Sequence, residues 1–123
     1  MSTETKKLLI IATFAEENPD KATLPFVVGN TALAMGNEVT IMLQSSGVFL
    51  ATKGYANHVQ AAGFPPLAEL MATYKEAEGK LLVCSPCLQA RKIGAEQLVE
   101  GAQIVAGATL IAELMESAKA LTY

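Results

Sequence analysis

The chain reads KLLVCSPC from Lys80 to Cys87, where an apolar run gives way to a proline between two cysteines. Three other short runs are also apolar at nearly every position. Continuous runs of this kind are typical of strands buried on both faces of a parallel sheet, because strands with one solvated face alternate instead. We therefore predict four strands, at residues 7–12, 38–43, 80–84 and 103–106.

Helical patterns lie between these runs. The alternation of strand and helix predicts right-handed crossovers, with helices on both faces of the sheet. We therefore expect a single-domain α/β fold, layered as in flavodoxin, with an open and mainly parallel sheet of four to five strands. The expected helices are residues 23–35 capped by Thr23, residues 67–79 after two prolines, residues 86–98, and a last helix capped by Thr109 with Ile111, Leu114, Met115 and Ala118 on one face.

The composition indicates one domain that is partly covered by another subunit. The 123 residues suit a single domain, preceded by a polar tail at residues 1–5. Apolar types make up 51% of the chain and charged types 17%, against roughly 25% charged in an ordinary soluble domain. We therefore predict a homo-oligomer. The long connection 44–63 contains Val48, Phe49 and Tyr55, so it is expected to be a short helix with loops and a candidate oligomer contact.

Charge and hydropathy exclude two classes of partner. The net charge is -3, and no basic cluster is longer than Lys6-Lys7 or Arg91-Lys92, so we expect no nucleic-acid partner. No apolar stretch reaches the roughly 18 residues of a membrane-spanning helix. The polar start resembles no export signal, so the sequence predicts a cytoplasmic protein.

Cys87 is the strongest candidate nucleophile. Ser85 is a good helix cap and Pro86 suits the first helical position, which places Cys87 in the first turn, near free N–H groups and the positive end of the helix dipole. Arg91 follows at the spacing that brings side chains onto one helix face, so it is expected to add a cation beside the sulfur. A thiol in such a place commonly has a pKa lowered from about 8.5 to roughly 3.5–7.5. We therefore expect a thiolate at Cys87.

Other chemistries fit the sequence less well. A CxxC motif also suggests a thioredoxin-like protein, but no proline follows Cys87 to oppose it and the chain has no tryptophan. Structural zinc normally takes four protein ligands, and only His58 is an obvious third. Neither GxGxxG nor GxxxxGK[ST] occurs. We therefore predict no metal and no cofactor.

The run from Leu82 to Ile93 (LVCSPCLQARKI) resembles the cysteine segment of DsrE/DsrF-like proteins, and Gly47 to Gly54 (GVFLATKG) is similar to the loop that follows their second strand. The resemblance covers nearly the whole chain. It implies trimers or hexamers and, in the sulfur-relay members, one persulfide-carrying cysteine, which matches Cys87. Many relatives have glycine where this chain has Lys92. We expect this departure to change the turn of the helix more than the chemistry.

Our preferred hypothesis is a sulfur-handling protein in which the Cys87 thiolate accepts sulfane sulfur and passes it to a protein or small-molecule thiol. Cys84 either resolves the persulfide or packs in the core. A dithiol oxidoreductase using Cys84 and Cys87, or an oligomeric binding module with inert thiols, remain alternatives. Adjacent Glu16 and Glu17 are more simply explained as a solvated surface than as acid–base groups. The residues expected to line the site are Ser45, Ser46, Gly47, Lys53 and Ser85.

Overall fold

The structure of the chain, a computed structural model, describes residues 5–123. Its strands are β1 (Lys7–Ala12), β2 (Glu38–Leu43), β3 (Lys80–Cys84), β4 (Ala102–Val105) and β5 (Lys119–Thr122). They form one sheet in the order β4-β3-β2-β1-β5, and every pair of neighbours is parallel. The predicted α/β class is confirmed. The predicted polar tail lies outside the described residues except for Thr5, which is exposed.

Helices cover the two faces of this sheet unequally. Their bounds are α1 (Pro19–Ala34), α2 (Leu67–Glu76), α3 (Ser85–Ala90) and α4 (Gly107–Glu116), with short 3-10 helices at Ser45–Ala51, Tyr55–His58 and Ala95–Gln97. Strands β1 to β4 follow one another across the sheet toward one edge, and the chain then returns to place β5 on the other side of β1. Because each crossover is right-handed, this reversal of direction puts α4 on the face opposite to α1 and α2. No helix within residues 5–123 has the length and apolar character needed to cross a membrane.

The larger of two cores lies under α1 and α2. Phe26 and Tyr74 meet there edge to face, with ring centroids 5.5 Å apart, above Ile10, Ile41 and Val83 of the sheet. The opposite face is smaller, with Leu9, Met42 and Leu82 covered by α4 through Leu110. Burying apolar side chains on both sides explains why these strands read as continuous apolar runs. The residues near the carboxyl ends of β1, β2 and β3 belong to this main core. The loops that follow these three strands therefore start from a packed part of the sheet.

The first helix begins earlier than predicted. It starts at Pro19, and the Asn18 side chain accepts a hydrogen bond from the Lys21 N–H at 3.2 Å. Asn18 is therefore the cap, and the prediction of Thr23 in this role is wrong. Thr23 lies inside the helix, and its side chain is fully buried. The helix also continues through Pro25. An asparagine cap followed by proline at the first helical position is the more favourable start.

The helix after β3 is much shorter than the predicted 86–98. It ends at Ala90 because Lys92 adopts a left-handed conformation with φ of 56°. Its cap is Cys84, which ends β3, so the prediction of Ser85 as the cap is also wrong. The Lys92 and Ile93 N–H groups bond back to the Gln89 and Leu88 carbonyls at 3.1 and 3.0 Å, which closes the helix as a Schellman motif.

The C-terminal region departs furthest from expectation. The last helix begins at Gly107 after Ala106, so Thr109 is not its cap. The apolar face predicted for this helix points outward: Ile111 is 55% and Met115 79% exposed, while the carboxylate-bearing Glu113 is 7% exposed. The fifth strand was not among the four predicted runs because its residues are exposed rather than continuously apolar.

The connection between β2 and α2 is folded as expected into short helices with loops. Its apolar residues Val48, Leu50 and Val59 are buried in the main core. Phe49 and Tyr55 are half-buried and stack on each other, with ring centroids 5.7 Å apart. The large apolar side chains of this connection therefore pack mostly against other residues of the same chain. The exposed large apolar side chains lie elsewhere, three of them on α4, and the prediction of an oligomer contact at this connection stays a prediction.

Candidate functional site

The candidate site lies where β1, β2 and β3 end at one edge of the sheet. Leu43 and Val83 are paired near the ends of β2 and β3, so the turn at residues 44–47 lies beside residues 84–87. The loop after β1 reaches the same edge, because the Gln44 N–H bonds to the Ala12 carbonyl at 3.0 Å. Ligands of open parallel sheets bind beyond this edge. The structure therefore brings together the loops after β1, β2 and β3, of which the last two carry predicted site residues.

Cys87 lies on the first turn of α3, half-buried against the main core. The backbone N–H of Ser45 donates to its sulfur, with 3.2 Å between N and Sγ. An N–H aimed at sulfur stabilises a thiolate more than a thiol, since hydrogen bonds to charged groups are the stronger ones. The loop after β2 therefore supplies a donor that the sequence analysis had sought only in the helix.

Cys84 lies next to Cys87 and differs from it in environment. The two thiols lie close together, and both are free. Burial, the bond with the Cys87 side chain and the charge on Cys87 raise the pKa of the Cys84 thiol, and the Cys87 N–H and Arg91 oppose this only in part. Cys84 contacts both cores of the sheet. At neutral pH the Cys84 thiol is therefore less ionised than the thiol of an exposed cysteine.

Arg91 is the cap residue directly after α3, and its side chain folds back over that helix. Its Nη1 donates to the Cys87 carbonyl at 3.2 Å, and its guanidinium lies 6.0 Å from the centroid of the Phe49 ring. The hydrogen bond is with the backbone of Cys87, whereas the sequence predicted a cation beside the sulfur. Its charge still reaches the site, because it contributes to the lowered pKa of Glu17 and offsets a part of the raised pKa of Cys84. Arg91 therefore caps the end of α3 and places a positive charge near Cys84 and Glu17.

Ser46 and Gly47 shape the turn beside the thiol. The Ser46 hydroxyl is within hydrogen-bond distance of the Thr13 carbonyl, at 3.1 Å, and of the Glu17 carboxylate. A Cβ at Gly47 would collide with the Ala12 carbonyl oxygen, so the turn passes this close to β1 only with glycine there. Ser46 and Gly47 therefore fix the turn, and neither contacts the sulfur of Cys87 in a described hydrogen bond.

Lys53 and Ser85 lie at the borders of the site. Lys53 is exposed, and its backbone N–H donates to the Gln97 carbonyl at 2.8 Å. It lines an open cleft of about 580 Å³ together with Phe49, Thr52, Arg91, Lys92, Ile93, Glu96 and Gln97. The Ser85 hydroxyl lies 3.4 Å from the Gln89 amide on the next turn of α3. Arg91 therefore lines the cleft and also contacts the backbone of Cys87. Ser85 contacts its own helix.

Glu17 is the residue at this edge that the sequence analysis undervalued. Its carboxylate accepts the Ala15 N–H at 2.6 Å and the Ser46 hydroxyl. Desolvation opposes ionisation of this exposed carboxylate, but these hydrogen bonds together with Arg91 lower the pKa of Glu17 below its ordinary value. The available signal was its place directly after β1, at the same edge as the cysteines. The neighbouring Glu16 N–H donates to the Tyr55 hydroxyl at 3.2 Å.

Candidate metal ligands are scattered over the part of the chain that the structure describes. Within residues 5–123 no three histidine, cysteine, aspartate or glutamate side chains are grouped closely enough to hold a metal ion. His58 is exposed in the 3-10 helix Tyr55–His58.

The amino-acid sequence matches the model of the DsrE/DsrF-like family over residues 6–123. The chain belongs to the DsrE/DsrF-like family. It is 32% identical over 109 residues to the uncharacterized protein MJ0760 of Methanocaldococcus jannaschii, covering 89% of this chain and 40% of that protein. It is also 32% identical over 117 residues to the uncharacterized protein MJ0989 of the same organism, covering 95% and 99% of the two chains.

The fold of this DsrE/DsrF-like chain is also similar to that of a solved structure. The ychN protein from E. coli superposes with a TM-score of 0.75 over 97% of this chain and 100% of that one, at 17% sequence identity. At this identity the likeness concerns the fold alone. The predicted resemblance to the DsrE/DsrF-like family is confirmed, and the chemistry must be argued from the site.

Proposed function

We propose that this DsrE/DsrF-like protein is a sulfur carrier that holds sulfane sulfur as a persulfide on Cys87. The observation that carries the proposal is the Ser45 N–H donated to the Cys87 sulfur at 3.2 Å. This donor stabilises negative charge on sulfur, both in the attacking thiolate and in the leaving thiolate of the return step. Membership of a family whose members include sulfur-relay proteins supports the same chemistry.

The reaction is a transfer of one sulfur atom between thiols. The Cys87 thiolate attacks the outer sulfur of a donor persulfide, RSSH; a bond forms between Sγ and that sulfur, and the donor's S–S bond breaks. The donor leaves as a thiolate, RS⁻, and Cys87 becomes a persulfide. An acceptor thiolate then removes the outer sulfur and restores the Cys87 thiolate. Neither step needs an oxidant or a reductant, because the sulfane sulfur passes on at its own oxidation state.

The neighbouring residues have supporting roles in this proposal. Cys84, whose raised pKa keeps it largely protonated, packs beside the persulfide and can hydrogen-bond to it. Arg91 and Lys53 border the cleft, where together with Lys92 they outnumber the single acid Glu96. This excess of positive charge favours anionic donors and acceptors, including small thiols that carry carboxylates. The free thiols suit the reducing cytoplasm.

A second candidate is a dithiol oxidoreductase, and one observation favours it. The side chains of Cys84 and Cys87 lie close together, as a disulfide between them would require. Formation of that disulfide removes two electrons and two protons and therefore needs an oxidising partner such as another disulfide. Persulfide loading adds one sulfur and needs none. The mass of the loaded chain distinguishes the two functions.

The experiment treats the reduced protein with glutathione persulfide and reads the intact mass. We expect the wild-type chain and Cys84→Ala to gain one sulfur, and Cys87→Ala to gain none while its circular dichroism stays native. Loading that survives in folded Cys87→Ala but disappears in folded Cys84→Ala would overturn the assignment. Loss of two hydrogens in place of the added sulfur would support the dithiol function.

We also propose that the chain works as a homotrimer or homohexamer. Low charge and a helix that exposes Ile111, Leu114 and Met115 support association with further copies. Burial of this apolar surface between subunits would stabilise the assembly, since each square ångström of apolar surface removed from water contributes about 25 cal/mol. The surface lies on α4, across the sheet from the main core.

A further inference from the structure

The turn after β2 holds Ser45 in a conformation that residues other than glycine rarely adopt. Its φ is 54°, in the left-handed region. In this conformation its N–H reaches the sulfur of Cys87 at 3.2 Å. A modest rotation of the turn would withdraw the donor, because hydrogen bonds weaken steeply with poor alignment. Whatever fixes the turn therefore fixes the environment of the thiol.

One carboxylate ties this turn to the loop after β1. Oε1 of Glu17 accepts the Ala15 N–H at 2.6 Å, which anchors the carboxylate to its own loop. Oε2 accepts the hydroxyl of Ser46, the residue directly after Ser45. The lowered pKa of Glu17 keeps this acceptor ionised at neutral pH. The contact spans two loops, and neither partner touches the sulfur of Cys87 in a described hydrogen bond.

We propose that Glu17 is a positioning residue for Cys87: through Ser46 it fixes the turn whose Ser45 N–H contacts the Cys87 sulfur. The inference rests on the proposed function, in which Cys87 reacts as a thiolate. Glu17 does not act as an acid or a base here, and its role is to keep a backbone donor in place.

The sign of the effect separates this role from a purely electrostatic one. The charged or titratable groups around the thiol include Cys84, Arg91, Glu16, Glu17 and Tyr55, and those that border the adjoining cleft are Lys53, Lys92 and Glu96. Removing a negative charge from this set favours the thiolate by Coulomb's law alone. Removing the link to Ser46 frees the Ser45 N–H and disfavours the thiolate. Glu17→Ala does both, so the direction of the change shows which effect dominates.

The test is the rate of Cys87 alkylation by iodoacetamide between pH 5 and pH 10, resolved from Cys84 by tandem mass spectrometry. We expect the midpoint of the profile to rise in Glu17→Ala and in Ser46→Ala, with a rate at neutral pH lower by about threefold to tenfold. Glu17→Gln retains an acceptor for the Ala15 N–H and gains a donor for the Ser46 hydroxyl oxygen, so its midpoint is expected to stay at or below the wild-type value.

The matched control is Glu16→Ala, which removes the same charge one residue away. Within residues 5–123 the Glu16 carboxylate makes no described hydrogen bond, so we expect an unchanged or lower midpoint. A midpoint that falls or stays constant in folded Glu17→Ala, or stays constant in Ser46→Ala, would overturn the proposal. A rise in Glu17→Gln equal to that in Glu17→Ala would contradict a link through hydrogen bonds.

Alkylation needs no sulfane sulfur, so the two proposals fail separately. A wild-type chain that takes up no sulfur from glutathione persulfide removes the proposed function and leaves the alkylation profile to judge the role of Glu17. Conversely, unchanged profiles in the variants remove the positioning role and leave sulfur loading by Cys87 intact.

Discussion

Glu113 of α4 accepts a hydrogen bond from Lys80 of β3, with 2.6 Å between Oε1 and Nζ. Its other oxygen lies 3.2 Å from the Thr40 hydroxyl and 3.5 Å from the Lys7 ammonium. Burial opposes ionisation of this carboxyl, but Lys80, Lys7 and Thr40 lower the pKa of Glu113 below its ordinary value. The contact joins α4 to three strands, and it explains why a charged residue faces the sheet where an apolar one was expected.

The first prediction concerns the pH dependence of stability in Glu113→Gln. Because the folded pKa of Glu113 lies below its unfolded value, its stabilisation is present above the unfolded pKa, about 4.3, and is lost as the pH falls through the folded pKa. We expect the variant to lose about 1–2 kcal/mol at pH 7, since both lysines are partly exposed. The difference from wild type should shrink below about pH 4.

Urea unfolding followed by circular dichroism measures this difference at each pH. Glu116→Gln is the control, because Glu116 pairs with Lys7 on the surface, with 68% of its side chain exposed. We expect that variant to change stability by less than about 0.5 kcal/mol at either pH. A loss in Glu113→Gln that stays constant from pH 7 to pH 3 would contradict the ion-pair explanation.

The second prediction concerns the relative reactivity of the two thiols. The thiolate is the nucleophile, and burial raises the pKa of Cys84, whereas Cys87 receives the Ser45 N–H. We expect iodoacetamide to modify Cys87 at least about tenfold faster than Cys84 at pH 7.5, a ratio that corresponds to one pKa unit. Tandem mass spectrometry of partly alkylated protein gives both rates. Faster modification of Cys84 would be inconsistent with the assignment.

The third prediction concerns the end of α3. Lys92 occupies the left-handed position of a Schellman motif, with φ of 56°, which glycine adopts at lower cost. We expect Lys92→Gly to stabilise the protein by about 0.5–1 kcal/mol and to leave persulfide loading of Cys87 unchanged. Lys92→Ala keeps the unfavourable conformation and should give no such gain. Denaturant unfolding of the three proteins checks the order, and a less stable glycine variant would contradict it.

The sequence predicted the parts of this fold that depend on continuous burial. Runs such as KLLVC at Lys80–Cys84 are apolar because both faces of their strands are covered, so they are visible without a structure. The exposed strand Lys119–Thr122 has no such pattern. The premature end of α3 depends on a left-handed lysine, which propensity does not anticipate.

The candidate site was predictable in its location and less so in its contacts. The rule that loops at the carboxyl ends of parallel strands meet at one edge correctly grouped the turn at Ser45 with Cys87. That the donor to sulfur is a backbone N–H depends on the turn's conformation and on its contact with Glu17. Such contacts join residues distant in sequence, and no single segment encodes them.

The last prediction concerns the outward face of α4. The Glu113 ion pairs turn this helix so that Met115 and Ile111 are 79% and 55% exposed, a pattern typical of an interface between subunits. If the chain forms the proposed homo-oligomer through α4, we expect Ile111→Glu combined with Met115→Glu to yield monomers, because each added carboxylate would have to be buried without a partner. Met35→Glu is the control, since Met35 is 75% exposed at the end of α1. Light scattering at micromolar concentration gives the mass of each protein. A wild-type chain that is already monomeric, or a double variant that keeps the wild-type mass, would show that α4 is not the interface.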